Sequence, residues 1–397
     1  MSTRLLRSAW RRLPRGFRQD LFARLTERLV PAVPAAELDP AVLPAPITVV
    51  GALRAPTGLG QAARLALHAL REAGVPFAAI DITARLSQPE TEPVFEAPAA
   101  REGPGTLLVY AVPPNGANAL AAVPREIRAG KRLAAGWVCE TEALPALWQR
   151  QARLFHVLTA PTRFAADGIA RATGRPVRVI GHPVLAEPLP PVPQDPPRSP
   201  DGRRLVGAVL DVASSGDRKN VEALIETIRR LLASSNDVGF RLKIKDAGAE
   251  PALARALAEL LRSAPDRIAV AEAAASRAET IGFIDGLDLL LSLARAEGFG
   301  LPHAEAIMRG VPVAAARWSG PAEFLTDENS VALPFRLVPI RDRSGLYAPT
   351  MGRWAEIDPG AAAEAVLRAL EAPPRLRPPM PPLFTTRLFV DALLGRA

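Results

Sequence analysis

The chain has 397 residues, 48% of them hydrophobic and 23% charged. At roughly 100–200 residues per domain that length suggests two domains, and so apolar a composition excludes wholesale disorder. One cysteine, Cys139, and four histidines exclude a disulfide framework and a CxxC-type zinc or redox site, and no multi-ligand His/Cys metal centre is expected.

The formal net charge is +8, and most of it lies at the start of the chain. There, eight arginines (4, 7, 11, 12, 15, 18, 24 and 28) face Asp20 and Glu27, a net of +6. Leu5, Trp10, Leu13, Phe17, Leu21 and Leu25 recur every three to five residues between them. That spacing predicts one amphipathic helix, ended by Pro31 and Pro34. Two readings of this arm stay open: a helix packed on the body with Arg on its wet face, or a helix lying on an anionic lipid surface. The arm lacks the apolar run of a secretory signal. The uncharged run Pro104–Pro124 is broken by Pro113-Pro114-Asn115-Gly116 and does not read as a span. A cytoplasmic protein is expected, with peripheral contact at the inner face of the membrane if the arm meets lipid. Nucleic acid is not an expected partner, because the basic excess is confined to one arm and the chain has only two tyrosines for stacking beside 13 Phe and 5 Trp.

After the arm, Ile47–Ala52 reads as a buried strand, Gly60–Ala73 as a helix and Phe77–Ile80 as a second strand ending at Asp81. Strands at Thr106–Val112, Arg132–Val138, Phe155–Thr159 and Val177–Ile180 follow, with helices at Pro145–Arg153 and Phe164–Ala172. Eight prolines between Pro183 and Pro200 then mark a stiff linker. The alternation restarts with strand Leu205–Leu210, helix Val221–Leu232, strand Phe240–Lys245 and helix Pro251–Arg262. It ends with strands Arg267–Ala271 and Leu287–Leu293, helix Pro302–Met308, strand Val311–Ala316 and helix Pro359–Leu370. This is an α/β pattern of two doubly wound, Rossmann-like domains. Ligands of such folds bind outside the carboxyl ends of the strands, here expected in a cleft between the domains.

The motif with most chemistry is Arg295-Ala-Glu-Gly-Phe-Gly-Leu-Pro-His-Ala-Glu-Ala-Ile-Met-Arg-Gly-Val-Pro-Val313. Gly298 and Gly300 let a backbone approach a ligand closely. Pro302 suits the start of a helix, whose N-terminus suits a diphosphate. Glu297 in the loop and Glu305 one turn into the helix would repel phosphate, but both accept well from sugar hydroxyls.

The stretch resembles the Glu-x7-Glu motif of family 4 glycosyltransferases, the retaining, nucleotide-sugar-dependent enzymes of GT-B fold. The spacing of Glu297 and Glu305 matches, as do Ala315-Ala-Arg-Trp-Ser-Gly320, Glu323-Phe324, Glu328-Asn-Ser330, and Trp354-Ala-Glu356 followed by Asp358. Upstream, Asp217-Arg-Lys-Asn220 and Leu242-Lys-Ile-Lys245 resemble the family's helix opening and lysine-bearing strand. The resemblance covers residues 205–370 specifically and 47–184 more weakly. With the arm and the proline-rich linker read from composition, the expected division is an arm at 1–40, an acceptor-side domain at 41–184, a linker at 185–203, a donor-binding domain at 204–371 and a tail at 372–397. Neither the arm nor the tail shares the resemblance.

By this resemblance Arg218 or Lys219, with Lys245, would bind the donor diphosphate, and Glu297 would lie by the donor sugar. Glu305 would take the ribose hydroxyls, and the backbone through Gly298, Phe299, Gly300 and Leu301 would complete the donor site. Thr57-Gly58-Leu59-Gly60 with Arg64 resembles the glycine loop that approaches the donor phosphate from the other domain. Trp137-Val-Cys-Glu140 with Glu142, Pro145 and Trp148 resembles an acceptor-side stretch of some relatives. No metal and no bound cofactor are implied, since Asp-x-Asp is absent. The partners implied are a nucleotide-sugar donor and a glycan or lipid-linked glycan acceptor, as in polysaccharide biosynthesis.

Rival readings stay open. Gly58-x-Gly60-x-x-Ala63 with Asp81 also fits a dinucleotide fingerprint, although Arg54-Ala-Pro-Thr57 intervenes where that fingerprint wants a tight turn. A related protein with phosphorylase or nucleotide-sugar epimerase chemistry is another, and a non-catalytic sugar-nucleotide-binding scaffold a third. Cys139 stands where a bulkier residue is common in the acceptor-side stretch of those relatives, His68 and His156 carry no spacing signal, and His182 reads as a buried or linker residue.

Overall fold

The computed structural model describes residues 15–193, 199, 201–245, 251–271, 276–347, 352–371 and 379–396. These divide into two units: the described parts of Met1–Pro183, Gly345–Met351 and Thr386–Ala397, and those of Val184–Ser344 and Gly352–Thr385.

The first unit starts with helix α1 (Arg15–Glu27), then β1 (Ile47–Gly51), α2 (Gly58–Glu72), β2 (Phe77–Asp81), β3 (Gly105–Tyr110), α3 (Gly116–Ala121) and β4 (Lys131–Gly136). It continues with α4 (Ala146–Ala152), β5 (Val157–Ala160), α5 (Arg163–Thr173) and β6 (Val177–Val179). All six strands pair in parallel, in the order β2-β1-β3-β4-β5-β6. Every residue of β1, β3 and β5 is buried. That is why these strands read as continuous apolar runs, the mark of a parallel sheet covered on both faces. Trp137 meets Trp148 and Phe155 edge-on, with centroids 5.6 and 5.9 Å away, in the core beyond β4. Thr57 and Thr162 cap α2 and α5, each accepting a backbone N–H at 3.2 Å.

The glycine loop after β1 is held from within. A Cβ on Gly60 would lie 2.6 Å from the carbonyl oxygens of both Ala52 and Ala55. The buried Arg64 guanidinium donates to the carbonyls of Leu53 (2.8 Å) and Ala55 (3.1 Å). Asp81 Oδ1 accepts from the N–H groups of Leu53 (2.9 Å) and Thr83 (3.0 Å). Gly60, Arg64 and Asp81 are therefore all engaged in shaping the loop, which weakens the dinucleotide reading of Asp81.

In α1 the packed face differs from the expected stripe. Ala23 and Thr26 are buried, and Asp20 and Glu27 pair with Arg150 on α4 at 3.0 and 3.4 Å. Phe17 is 56% exposed and Leu25 50%, as is Leu29 beyond the helix at 57%. Asp20 and Glu27 thus face α4, while Phe17 and Leu25 of the stripe face outward and Leu21 is half-buried. Leu5, Trp10 and Leu13 lie outside the described residues.

The second unit runs β7 (Arg204–Asp211), a single helical turn at Gly216–Lys219, α6 (Val221–Ser234), β8 (Val238–Lys245), α7 (Pro251–Ser263), β9 (Ile268–Ala271) and α8 (Arg277–Asp285). Next come β10 (Leu289–Leu291), α9 (Leu301–Met308), β11 (Val313–Ala315), β12 (Ser330–Ala332), the hairpin β13 (Phe335–Pro339) and β14 (Arg353–Ile357), and α10 (Pro359–Glu371). Its parallel sheet has the order β12-β11-β10-β7-β8-β9, with β13 and β14 an antiparallel pair of their own. The strand order reverses between β7 and β10, and the carboxyl ends of those two strands carry the site described below. A last helix, α11 (Thr386–Leu394), returns to the first unit. There Thr386 donates to Glu72 at 2.6 Å and Arg178 donates to the Leu393 carbonyl at 3.0 Å.

The proline-rich stretch is not a free tether where it begins. Arg277 pairs with Glu187 at 2.5 Å, and Arg309 donates to the carbonyls of Pro190 (2.6 Å) and Pro191 (3.1 Å) while paired with buried Asp285. Just before it, His182 is buried, and burial pushes its pKa down to about 3, so the ring is neutral.

Two carbonyls against Gly60 give a direct check on that position. Gly60→Ala should destabilise the protein by about 1–3 kcal/mol through overpacking, measured by urea unfolding. A variant as stable as the parent would instead mean that Gly60 is kept for ligand approach.

Candidate active site

The site builds from two loops that leave adjacent strands. After β7, Ser215 takes φ 83° and caps the Gly216–Lys219 turn, its Oγ accepting from the Arg218 N–H at 3.1 Å. Asn220 then turns left-handed (φ 55°) and starts α6 in a new direction. The Asp217-Arg-Lys-Asn220 stretch is thus a separate helical turn rather than the opening of the long helix. Asn is among the few non-glycine residues that adopt this conformation routinely. After β10, Arg295–Gly300 forms the second loop. The Arg295 N–H donates to the Arg218 carbonyl at 2.8 Å, and its guanidinium bonds Glu356 of β14 at 3.0 Å through two nitrogens. Arg295 fastens both loops and the hairpin together.

Glu297 sits between them. Its Oε2 lies 3.1 Å from Arg218, and its Oε1 forms an ion pair with Lys219. Burial alone would raise the Glu297 pKa, but Lys219 and Arg218 outweigh it and hold the carboxyl at about 2. The two cations differ. Arg218 is 3% exposed and also donates to the Ala296 carbonyl (2.8 Å) and Ser214 Oγ (3.1 Å), so its fork is committed to the loop. Lys219 is 14% exposed on a flexible stem. Lys245 ends β8 in register with Asp211 of β7 and pairs with it at 3.6 Å.

The remaining predicted residues divide. Gly300 caps α9 at φ 89°, and a Cβ there would lie 2.7 Å from His303 Nδ1. The Phe299 ring is buried against Phe324 and Phe384, 5.2 and 5.9 Å between centroids, so only its backbone is available to a ligand. Leu301 starts the helix half-buried. Glu305 is buried and bonded to Arg277 at 2.5 Å, the same guanidinium that holds Glu187; burial raises its pKa against the pull of Arg277. In the first unit Gly58 opens α2 and is exposed. Glu140 and Glu142 are half-buried after β4, the Glu142 carbonyl accepting from Arg171 at 2.9 Å. Cys139 is buried, and burial pushes its thiol up to about 12, which makes it inert. Among the described residues no group of three His, Cys, Asp or Glu side chains is placed to hold a metal.

Three residues without a role in the motif reading border the site. Buried His303 has its pKa lowered to about 4, by burial first, and is neutral. Ser319 takes φ 57°, ψ −147° and accepts from the Glu297 N–H at 2.9 Å. Asp342, between β13 and β14, accepts from Ser215 Oγ at 2.7 Å. Ser319 falls inside the stretch quoted for its resemblance, but nothing in its spacing marks it.

With β7 and β10 flanking the reversal of strand order, a carboxylate and two cations converge where α/β sheets bind ligands. The family model for family 4 glycosyltransferases in conflict systems matches residues 164–375, just over half of the chain. The chain belongs to this family. Its two parallel sheets are those of the GT-B glycosyltransferase fold. Similar solved structures include HepE from Anabaena in complex with UDP and glucose: TM-score 0.51, 13% identity, 87% of this chain and 93% of that one. A glycosyltransferase from Rickettsia africae overlaps with TM-score 0.51 and 12% identity, over 88% of this chain and 95% of that one. S. aureus TarM overlaps with TM-score 0.48 and 11% identity over 73% of this chain, which spans about half (51%) of the TarM chain. No curated protein matches the sequence.

For this glycosyltransferase-family chain the Glu297 cluster has a pH signature. The carboxyl pKa falls from 4.5 to about 2 on folding. Ionised Glu297 therefore stabilises the fold fully above about pH 4.5 and ceases to do so as pH falls through about 2. Unfolding free energies of the parent and Glu297→Gln should differ at pH 7 and converge between pH 4.5 and 2. A gap that does not change with pH would show that the carboxylate is not held by these cations.

Proposed function

We propose that the protein transfers a sugar, with retention, from a nucleoside diphosphate sugar to a hydroxyl of a glycan or lipid-linked glycan acceptor, without a metal ion. The observation that carries the reading is the Glu297 carboxylate buried between Arg218 and Lys219 at the reversal of strand order. Breaking the bond between sugar and diphosphate puts negative charge on the leaving group, and preorganised cations offset that charge best in a site that excludes water. Lys219 can swing from Glu297 to the phosphate by changing rotamer, while Arg218 keeps the loop in shape. Lys245, one strand away, supplies a further cation. Glu297 released from Lys219 accepts from sugar hydroxyls, and the α9 N-terminus favours the diphosphate. Glu305 reaches ribose only by sharing its carboxylate with Arg277. Because HepE was solved with UDP and glucose, a donor screen starts there.

Lys219→Ala and Lys245→Ala should weaken nucleoside diphosphate binding and cut turnover by on the order of 10²-fold, the scale for losing a charge partner of the transition state. Thermal shift with UDP, GDP and ADP, then turnover with their sugars in EDTA, measures both. Turnover at the parent level in Lys219→Ala overturns the site, and loss in EDTA with rescue by Mn²⁺ overturns the metal independence. Binding without turnover by the parent, across donors and acceptors, would favour the scaffold reading.

The exposed Phe17, Leu25 and Leu29 beside Arg24 and Arg28 favour a second element: peripheral contact with anionic lipid through α1. Among the described residues no helix is long and apolar enough to cross a membrane. Flotation with anionic vesicles at low salt should be lost when Phe17, Leu25 and Leu29 are changed to Ser, and also at high salt. Equal flotation of both proteins would mean that this face does not meet lipid.

A further inference from the structure

The loop that carries Glu297 is held by a residue that should not adopt its own backbone conformation. Ser319 sits at φ 57°, ψ −147°, close to a region that is essentially confined to glycine. A glycine there would cost nothing in backbone strain, so the side chain must supply something the fold or the reaction needs. What the Ser319 hydroxyl does is visible: Oγ accepts from the Glu297 N–H at 2.9 Å and donates to the Trp318 carbonyl at 2.7 Å. The next residue closes the other side, the Gly320 N–H donating to the Glu297 carbonyl at 2.9 Å. Both peptide groups of Glu297 are thus gripped by one strained turn. A Cβ on Gly320 would collide with the Gly298 carbonyl oxygen, so the turn lies directly against the loop.

We propose that Ser319 is a positioning residue for sugar transfer: its hydroxyl fixes the Glu297 peptide and so keeps the carboxylate between Arg218 and Lys219. This rests on the donor-sugar role proposed above for Glu297. Ser319 is buried, at 4% exposure, and acts through the Glu297 backbone rather than on a ligand. The strain of the turn is sustained by what it holds: a carboxylate whose two oxygens face different cations needs its backbone fixed. A displacement of the order of 1 Å in such a group costs about 10²-fold in rate.

Two substitutions separate the hydroxyl from the strain. Ser319→Gly removes both, and Ser319→Ala removes the hydroxyl and keeps the strain. Ser319→Gly should raise Tm by about 2–4 °C and Ser319→Ala should not. Both should lower kcat by about 10- to 100-fold, with the dissociation constant for the nucleoside diphosphate changed less than about threefold. Carbon-13 NMR of glutamate-labelled protein reads the same contact without turnover. The Glu297 carboxyl, held at about 2 in the parent, should titrate measurably higher in both variants. An unchanged titration in both overturns the proposal, and so does a more stable Ser319→Gly with undiminished kcat. A parent that binds no nucleoside diphosphate would sink the glycosyltransferase reading while leaving the titration to decide the role of Ser319.

Discussion

The second unit is organised around one buried charge arrangement, the Glu297 carboxylate between Arg218 and Lys219. Removing three charges from water is expensive, and an isolated member would be worse off than the set. Here the carboxylate is paired with both cations, and Arg218 also donates to Ser214 and to the Ala296 carbonyl. The loops after β7 and β10 are therefore obliged to stay together, since parting them would strand a buried guanidinium. The set carries one net positive charge. In the function proposed above, that charge suits a diphosphate, whose arrival would give Lys219 a second anion to choose.

Backbone strain is concentrated around this set. Of the five non-glycine residues with positive φ among the described residues, Ser215, Asn220 and Ser319 border it, the others being Asp39 and Ser87. Each of the three is small and polar. Ser215 Oγ caps the turn that presents Arg218 and bonds Asp342, and Ser319 holds the Glu297 peptide. Asn220 lets α6 leave at a new angle so that the turn can stand apart from it. Strain at such positions persists only where the surroundings over-determine it; at Ser215 and Ser319 side-chain hydrogen bonds to the loops do so.

The sequence made the two parallel sheets legible because buried strands such as β1 and β3 are unbroken apolar runs between helical periods. Where local signals were weak, elements were missed. Helix α8 carries a capping box at Ser276 and Glu279, but its buried Ile281, Phe283 and Ile284 are nearly consecutive and do not show a helical stripe. Strand β12 is three residues long, and the hairpin strand β13 has exposed ends at Phe335 and Pro339. Within the site, Glu297 and Glu305 stood out by spacing and the cations by resemblance. Their partners did not: Ser319 lies 22 positions from Glu297 and Arg277 lies 28 from Glu305. Only the folded chain brings such pairs together. In the described part of the arm the docked face is likewise illegible from spacing, because Asp20 and Glu27 meet Arg150 from more than 120 positions away.

The two glutamates of the motif are held in opposite electrostatic settings, and this bears on how they can serve one ligand. Glu297 has two cations to itself and stays ionised far into acid. Glu305 shares Arg277 with Glu187, so two buried carboxylates compete for one guanidinium, and burial raises its pKa. A carboxylate short of donors is a good acceptor for neutral hydroxyls, which add hydrogen bonds without adding charge. Glu297, by contrast, must first be relieved of Lys219. In the reading proposed here a diphosphate does so: it draws the lysine away and leaves the carboxylate to the sugar. The charge of the donor would then complete the site that recognises its uncharged half. Arg277 ties Glu305 to Glu187, just after the unit boundary, so on the proposed reading the carboxylate offered to the ribose would be anchored where the chain enters the second unit.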